Sequence, residues 1–264
     1  MSRRLETKTL EKVWGRKGIS APFSNDPELQ IGEIWFEPQA PVEDLLVKYL
    51  FTSEKLSVQV HPCDADAQRM GLGTVGKEEC WLILDAEPGA AVALGLDDEY
   101  SAEAVRAAAI DGSIEEMLVW HEARPGDFFH VPPGTIHAIG PGLTLLEIQQ
   151  NTDITFRLFD YGRPRELHLD QAMECADFAP YPAQYRSHVR GDASEVLLDG
   201  AAFTVTLLKG PHEMVGLEDA LVIPLRGYLA LGDERIDAGS CAMLASGDLL
   251  TTSEDAEAIV AQSD

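Results

Sequence analysis

The strongest constraint on the fold is a succession of short apolar or alternating runs, each broken by glycine, proline or aspartate. It extends from about residue 30 to residue 162 and includes IGEIWFEP, DLLVKYLF, KLSVQVHP, DFFHVPPG and GLTLLEIQQ. Runs of this length and spacing are typical of the strands of a β-sandwich or barrel, and not of alternating strand and helix units. The sequence therefore predicts a mainly β chain.

Short helical segments interrupt this β rhythm. DDEYSAEAVRAAAIDGS offers Ser101 as an N-cap, and GSIEEMLVWHEA offers Ser113 as an N-cap with Glu116 three residues later, which predicts a capping box. Together they predict a helical insertion at about residues 101–122. A further short helix is predicted from Leu169 to Cys175, within a proline-containing segment.

Changes in composition and periodicity along the chain predict three parts. An N-terminal barrel is predicted over residues 1–165 and a connector with little periodicity over residues 166–194. The β rhythm resumes over residues 195–264, which predicts a smaller C-terminal β domain.

The C-terminal part also resembles the first. RPGDFFHVPPGTIHAIG aligns with DAGSCAMLASGDLLTTS, so that Gly134 corresponds to Gly247, whereas His137 corresponds to Leu250. A repeat that keeps its turn glycines and loses its imidazole predicts two barrels, of which the second is a degenerate copy.

Charge and composition exclude several classes of partner. With 20 Lys and Arg against 45 Asp and Glu, the formal net charge is -25, which would repel nucleic acids and anionic membrane surfaces. No apolar run reaches the roughly 18 residues of a transmembrane helix, and no export signal is recognisable, so we expect a cytoplasmic location. The 4 cysteines form no Cys-x-x-Cys pair, which favours reduced thiols. An anionic ligand would have to be held by a few locally concentrated cations.

The strand LSVQVHP carries polar residues on one face. Side chains two apart in a strand point to the same side, so Ser57, Gln59 and His61 share a face, and Val58 and Val60 take the other. We expect the two valines to pack between the sheets of the barrel. The polar face then needs a chemical explanation.

Two later segments bring further groups of the same kind. GKEECWLIL places Lys77, Glu79 and Trp81 on one strand face, and VPPGTIHAI supplies a histidine after a Pro-Gly turn. The candidate metal ligands are therefore Gln59, His61, Glu79 and His137. Imidazole and carboxylate ligands favour one zinc ion and leave iron, manganese and cobalt open. The remaining histidines, His121, His130, His168, His188 and His212, fit no ligand position.

The resemblance to a known family is carried by these segments. GDFFHVPPGTIH matches the second cupin motif through Gly126, Pro132, Gly134 and His137. The Gln59-x-His61 pair, where cupins usually have His-x-His, is typical of type I mannose-6-phosphate isomerases. GKEECW, DAEPGA, GEIW and EIQQNTDITFRLFDYGR are similar to the short bacterial branch of that family. The resemblance is strong from about residue 10 to residue 175 and weaker towards the C-terminus.

This resemblance implies two cupin-type jelly-roll barrels and a zinc-dependent isomerase that interconverts mannose 6-phosphate and fructose 6-phosphate. The four candidate ligands match the metal ligands of the family, and Arg157 matches its catalytic arginine. Moving a proton between C1 and C2 through an enediol also needs a base, for which Glu147 and Asp153 are candidates.

The substrate would be a small sugar phosphate, and a phosphate needs cations in so acidic a chain. We assign substrate binding to Lys77, Ser57, Glu33 and Arg163, and Arg165 belongs to the same basic segment. Two alternatives stay open: a metal-dependent cupin dioxygenase, and a non-catalytic sugar-binding or regulatory cupin. The oligomeric state is also open.

Overall fold

The computed structural model describes residues 4–23, 26–215, 217 and 219–263. Within these residues the chain is mainly β, as the sequence predicts. The strands of the first part are β1 (Thr7–Lys17), β2 (Gln30–Phe36), β3 (Leu45–Phe51), β4 (Val58–Val60), β5 (Glu79–Ala86), β6 (Ala91–Leu96), β7 (Leu118–Glu122), β8 (Asp127–Val131), β9 (His137–Ile139), β10 (Leu143–Gln150), β11 (Phe156–Phe159) and β12 (Arg186–His188).

The second part of the chain also consists mainly of strands. Its strands are β13 (Glu195–Asp199), β14 (Phe203–Lys209), β15 (Glu213–Val215), β16 (Ala220–Arg226), β17 (Tyr228–Leu231), β18 (Glu234–Asp237), β19 (Ala242–Leu244), β20 (Leu249–Thr252) and β21 (Glu257–Ser263). The helices are α1 (Asp64–Arg69), α2 (Ala102–Asp111), α3 (Ile114–Met117), α4 (Leu169–Cys175) and a 3-10 helix at Ala183–Tyr185. Among the described residues, none of these helices has the length and apolar character needed to cross a membrane.

The strands form two pairs of antiparallel sheets. The first pair has a seven-stranded sheet, β1-β2-β3-β10-β5-β8-β12, and a five-stranded sheet, β11-β4-β9-β6-β7. The second pair has the orders β13-β14-β21-β16-β19 and β15-β20-β17-β18. The chain passes from one sheet to the other between β8 and β9, and again between β19 and β20. These are the two aligned segments of the repeat, and Gly134 and Gly247 have φ values of 88° and 83° before the second strand of each.

Helices cover the outer face of the five-stranded sheet. Val58 and Val60 are buried in a cluster with Val105 of α2, Ile114 of α3 and Ala172 of α4. The expectation that the two valines pack between the sheets is therefore wrong, because the helical segments bury the outer face of β4. The polar side of β4 faces the interior of the barrel instead.

The interior between the first two sheets is apolar at one end and polar at the other. Trp81 and Leu145 belong to an apolar cluster that also contains Leu94. Glu79 lies two residues before Trp81 on β5, and Glu147 lies two residues after Leu145 on β10. Because side chains alternate along a strand, both glutamates point into the same interior. This end of the barrel holds the polar groups.

The predicted helices agree with the structure in part. Ser101 Oγ accepts a hydrogen bond from the Ala104 N–H at 3.2 Å, which confirms the N-cap of α2. The helix at Leu169–Cys175 is also confirmed. The helical insertion ends at Met117, and not at residue 122, because residues 118–122 form β7 and pair with β6.

The capping box predicted at Ser113 is wrong. Its hydroxyl donates a hydrogen bond to Asp111 Oδ1 at 2.6 Å and caps no N–H group of α3. The Ser113 hydroxyl, which a capping box needs as an acceptor, is therefore bound to the last residue of α2.

The outer face of the seven-stranded sheet packs on the second barrel. One cluster of buried side chains joins Tyr49 and Leu82 of the first barrel with Phe203, Ile223 and Ile259 of the second. The two barrels thus share a hydrophobic core. The predicted domain limits stay a prediction, and strand β12, inside the predicted connector, pairs with β8 of the first barrel.

Candidate metal centre and active site

Three potential metal ligands meet in the polar end of the first barrel. His61 follows β4 directly and His137 begins β9 in the same sheet, while Glu79 begins β5 in the opposite sheet. One ligand atom from each lies within 4.8 Å of the others, and all three side chains are buried. Histidine and carboxylate atoms at this spacing suit a divalent metal ion.

Backbone carbonyls orient both imidazoles. His61 Nδ1 lies 2.8 Å from the carbonyl oxygen of Ile154, and His137 Nδ1 lies 2.9 Å from that of Thr135. A proton on each Nδ1 leaves both Nε2 atoms unprotonated, so that each could donate its lone pair to a metal. Burial lowers the pKa of His61 well below the ordinary histidine value, and Lys77 lowers it further. Burial also lowers the pKa of His137, so both rings are neutral at pH 7.

Glu79 supplies an acceptor that the protein leaves unused. Its Oε1 atom is buried, has no hydrogen-bond partner within the described residues and lies 3.4 Å from His137 Nε2. Its Oε2 atom forms a salt bridge with Lys77. Burial raises the pKa of Glu79, but Lys77, His137 and Lys48 together outweigh this effect, and the net pKa is lowered. An ionised carboxylate with an orphaned buried oxygen is what a metal site requires, so these residues fit a metal.

Gln59 completes the set on the strand next to His137. Its Nε2 atom is 3.2 Å from His137 Nε2 and 3.4 Å from His61 Nε2, and its Oε1 atom accepts from Ser57 Oγ at 3.1 Å. A 180° turn of the amide exchanges the two atoms, which presents Oε1 to a metal and lets Nε2 donate to Ser57. The fourth predicted ligand is therefore beside the other three.

A cavity of about 80 Å³ opens in front of Gln59. Of the residues assigned from the sequence, those lining it are Glu33, Ser57, Gln59, Lys77, Glu147, Asp153 and Arg157. The cavity is also lined by Lys12, Lys48 and Arg165. The cavity thus has five basic side chains, Lys12, Lys48, Lys77, Arg157 and Arg165. They provide the local positive charge that an anionic ligand needs in a chain of net charge -25.

Arg157 lies directly beside a candidate ligand. In the pairing of β11 with β4 it stands opposite Gln59. Its Nε atom is buried without a hydrogen-bond partner, and it forms no ion pair with any described residue. Asp160, three residues after Arg157, binds Arg163 and Arg165 instead.

Arg163 does not lie among the cavity residues. It binds Asp160 Oδ1 at 3.3 Å, and its other terminal nitrogen donates to the backbone carbonyl of Lys55. Its position therefore gives no support to its assignment to substrate binding. Sequence alone could not separate Arg163 from Arg165, because a loop has no fixed side-chain period.

Lys48, like Lys12, is a cavity residue that the sequence did not predict. It is buried in β3 opposite Glu147 of β10, and its Nζ atom is 3.1 Å from Glu147 Oε1. Glu147 Oε2 accepts from Trp81 Nε1 at 3.2 Å. The signal was present in DLLVKYLF, where one lysine stands in an otherwise apolar strand. A buried charge of this kind needs a partner and marks a polar site.

Comparison with known proteins gives two kinds of match. No family model matches the chain. A stretch of 170 residues is 38% identical to the mannose-6-phosphate isomerase ManA of Bacillus subtilis, covering 61% of this chain and 54% of ManA. A mannose-6-phosphate isomerase of Streptococcus mutans is 38% identical over 148 residues, covering 54% of this chain and 46% of the relative. The chain spans about half the length of these curated relatives.

The structural match covers nearly the whole chain. The crystal structure of the mannose 6-phosphate isomerase from Bacillus subtilis aligns with a TM-score of 0.81 and 27% identity, over 98% of both chains. Both barrels are therefore included in the similarity. In sequence, over part of its length, and in fold, over nearly all of it, the chain is therefore similar to mannose-6-phosphate isomerases.

Proposed function

We propose that this protein interconverts mannose 6-phosphate and fructose 6-phosphate. The observation that carries the proposal is a buried His61, Glu79 and His137 group that adjoins a cavity lined by both basic and acidic side chains. An aldose-ketose isomerase needs this combination, because it must bind an anionic sugar and move a proton beside developing negative charge. We place the activity in the cytoplasm, where such charged sugar phosphates are made and used.

We propose one zinc ion as the cofactor, held by Gln59, His61, Glu79 and His137. Two neutral imidazoles, a carboxylate and an amide oxygen suit zinc better than magnesium or calcium, which prefer oxygen ligands. The bound ion would supply Lewis-acid polarisation of the sugar oxygens at C1 and C2. Iron, manganese and cobalt have similar ligand preferences and are the alternatives to test.

Three side chains of the protein would act on the sugar itself. Arg157 stabilises negative charge that develops on the enediol oxygens, since a guanidinium is always protonated and donates several hydrogen bonds. Glu147 and Asp153 line the cavity and are the candidates for carrying the proton between C1 and C2. Glu147 is buried and already accepts from Lys48 and Trp81, whereas Asp153 is exposed.

The base can be assigned by comparing Glu147→Gln with Asp153→Asn. Loss of a general base typically lowers kcat by about 10²- to 10⁴-fold, while loss of a positioning contact costs less. Exchange of the C2 proton of mannose 6-phosphate with deuterated solvent measures the proton transfer directly. The variant that abolishes this exchange identifies the base.

The proposed activity is tested with purified protein and mannose 6-phosphate in an assay coupled to fructose 6-phosphate formation. We expect turnover that chelator removes and zinc restores. A metal-loaded protein that binds the sugar phosphate without turnover would instead support the sugar-binding alternative. Dioxygen consumption with an iron-loaded protein would support the dioxygenase alternative.

Arg157 provides the sharper test. Arg157→Ala should lower kcat by roughly 100-fold, which corresponds to the loss of one oxyanion donor of about 3 kcal/mol, while metal content is unchanged. Arg69→Ala is a matched control, since Arg69 forms its ion pairs on the surface with Asp66 and Glu174. If Arg157→Ala retained the wild-type rate, its role at the enediol would be wrong.

A further inference from the structure

The cavity has a buried end beside the metal ligands and an open end. At the buried end, Lys77 Nζ lies 3.1 Å from His61 Nε2, and Ser57 Oγ lies 3.1 Å from Gln59 Oε1. At the open end, the side chains of Lys12 and Arg165 are 34% and 31% exposed. Lys77 and Ser57, which the sequence analysis assigns to substrate binding, are thus both at the metal end.

This position matters because of the shape of the substrate, and the inference rests on the proposed function. A hexose 6-phosphate carries the reacting carbons C1 and C2 at one end of its carbon chain and the phosphate at the other. When C1 and C2 are at the metal ligands, the phosphate is far from Lys77 and Ser57. It must lie at the open end of the cavity.

We propose that Lys12 and Arg165 form a clamp that binds the phosphate of the substrate. Both line the cavity, and they approach it from different sheets. Lys12 belongs to β1, the edge strand of the seven-stranded sheet. Arg165 follows β11, the edge strand of the five-stranded sheet. A phosphate held between them would bridge the two sheets at the mouth of the barrel.

The position of Lys12 depends on a glycine in the neighbouring strand. A Cβ atom at Gly32 would lie 2.4 Å from Lys12 Cγ, so the lysine stem crosses β2 where there is no side chain. Its Nζ atom then reaches Glu33 Oε2 at 3.0 Å. An ammonium has three donors, so the pair with Glu33 leaves two for a phosphate.

Arg165 is held by a buried carboxylate. Its Nε and Nη2 atoms bind the two oxygens of Asp160 at 2.5 Å and 2.6 Å, and Asp160 is only 2% exposed. A guanidinium has five N–H donors in a fixed plane, so this bidentate contact orients the side chain and leaves further donors for an anion. Asp160 is thus a positioning residue for the clamp.

The clamp is tested by titrating metal-loaded protein with inorganic phosphate in a calorimeter and by measuring isomerase kinetics. Lys12→Gln and Arg165→Gln should each weaken phosphate binding by roughly tenfold or more, because each removes charge-assisted hydrogen bonds. The KM for mannose 6-phosphate should rise in parallel while kcat changes little. Affinity for zinc, measured by chelator competition, should be the same as in the wild type.

Two control variants remove basic side chains from the same parts of the chain as the clamp residues. Lys17→Gln removes a lysine of β1 that pairs with Glu28 on the surface. Arg163→Gln removes the other arginine bound to Asp160, which does not line the cavity. Both should bind phosphate as the wild type does.

The outcomes separate the clamp from the isomerase activity. If the wild type does not isomerise mannose 6-phosphate but both clamp variants lose phosphate binding, the clamp stands and the proposed function fails. If the wild type is an active isomerase and both variants keep the wild-type affinity for phosphate and the wild-type KM, the clamp is wrong. Equal losses in Arg163→Gln and Arg165→Gln would also overturn it, because loop loosening would then explain the effect.

Discussion

Burial selects the neutral form of the two histidines at the centre of the site. A proton on either Nε2 would block metal binding, and taking an imidazolium out of water is costly. The lowered pKa values of His61 and His137 follow from this burial, which no motif records. The sequence predicted which residues gather, because strand alternation fixes the face of each side chain, but not the depth at which they lie.

The metal-free protein is therefore expected to lose stability on acidification. For a histidine whose pKa is lowered by folding, the stabilising contribution is complete above the unfolded pKa of about 6.5 and is lost as the pH falls towards the folded pKa. Each of the two histidines should cost on the order of 1 kcal/mol per pH unit in that range. Glu79, whose pKa is also lowered, loses its contribution only below about pH 4.3.

Urea unfolding with chelator, between about pH 7.5 and 5.5, measures this loss. His61→Asn and His137→Asn should each reduce the pH dependence, since each removes one buried imidazole. His188→Asn is the control, because the side chain of His188 is exposed. A pH dependence that the first two variants leave unchanged would contradict the prediction.

At the scale of strands and helices, some elements could be predicted from the sequence and others could not. Most strands and α4 follow from periodicity and turn residues, whereas β7 lies in the predicted helical insertion and β12 in the predicted connector. Helix α1 was not predicted, because its N-cap residue, Cys63, makes no capping hydrogen bond and gives no start signal. The valines of β4 were assigned to the wrong face, since which side of a sheet becomes the barrel interior depends on what the insertion covers.

The turn between β8 and β9 links the candidate metal ligands to the predicted connector by hydrogen bonds. The Gly134 N–H donates to the carbonyl of His61 at 2.8 Å, and the carbonyl of Gly134 accepts from the Asp177 N–H at 2.7 Å. A Cβ atom added to Gly134 would lie 3.0 Å from the carbonyl oxygen of Cys175, and the φ of 88° strains any L side chain.

Gly134→Ala is therefore expected to lower the free energy of unfolding by about 1–2 kcal/mol and to weaken zinc affinity as well. Gly247→Ala is the matched control in the second barrel, because its φ is 83° and, its chain neighbours aside, no atom of the described residues lies within 4 Å of the added Cβ. It should show the backbone strain without a change in zinc affinity. Chemical unfolding and chelator competition measure the two effects, and equal zinc affinities in both variants would refute a role for this turn in the site.

At the scale of the whole molecule, the second barrel packs on the barrel that holds the candidate metal centre. Its repeat lost the imidazole, and Leu250, which replaces it, is buried in the core of the second barrel. The sequence indicated this degeneration but not the shared core, because Tyr49, Phe203 and Ile223 are far apart in the chain and each simply continues an apolar run. Which apolar faces meet is decided by packing between sheets and not by local pattern.

The shared core should make the two barrels unfold together. All 4 tryptophans, at positions 14, 35, 81 and 120, lie in the first barrel, so their fluorescence reports on that barrel alone. Ile223→Ala removes a fully buried side chain that the second barrel contributes to the shared cluster. It should lower the free energy of unfolding by about 2–5 kcal/mol and shift the tryptophan transition to lower denaturant.

Leu250→Ala tests whether the coupling extends beyond the contact itself. Leu250 is equally buried but belongs to the second barrel's own cluster, which contains none of the described residues of the first barrel. If the two barrels form one cooperative unit, this variant also shifts the tryptophan transition, and circular dichroism and fluorescence give the same midpoint. A loss of β structure that precedes any change in fluorescence would show instead that the second barrel unfolds alone, and the shared core would then contribute little to holding the metal-ligand strands.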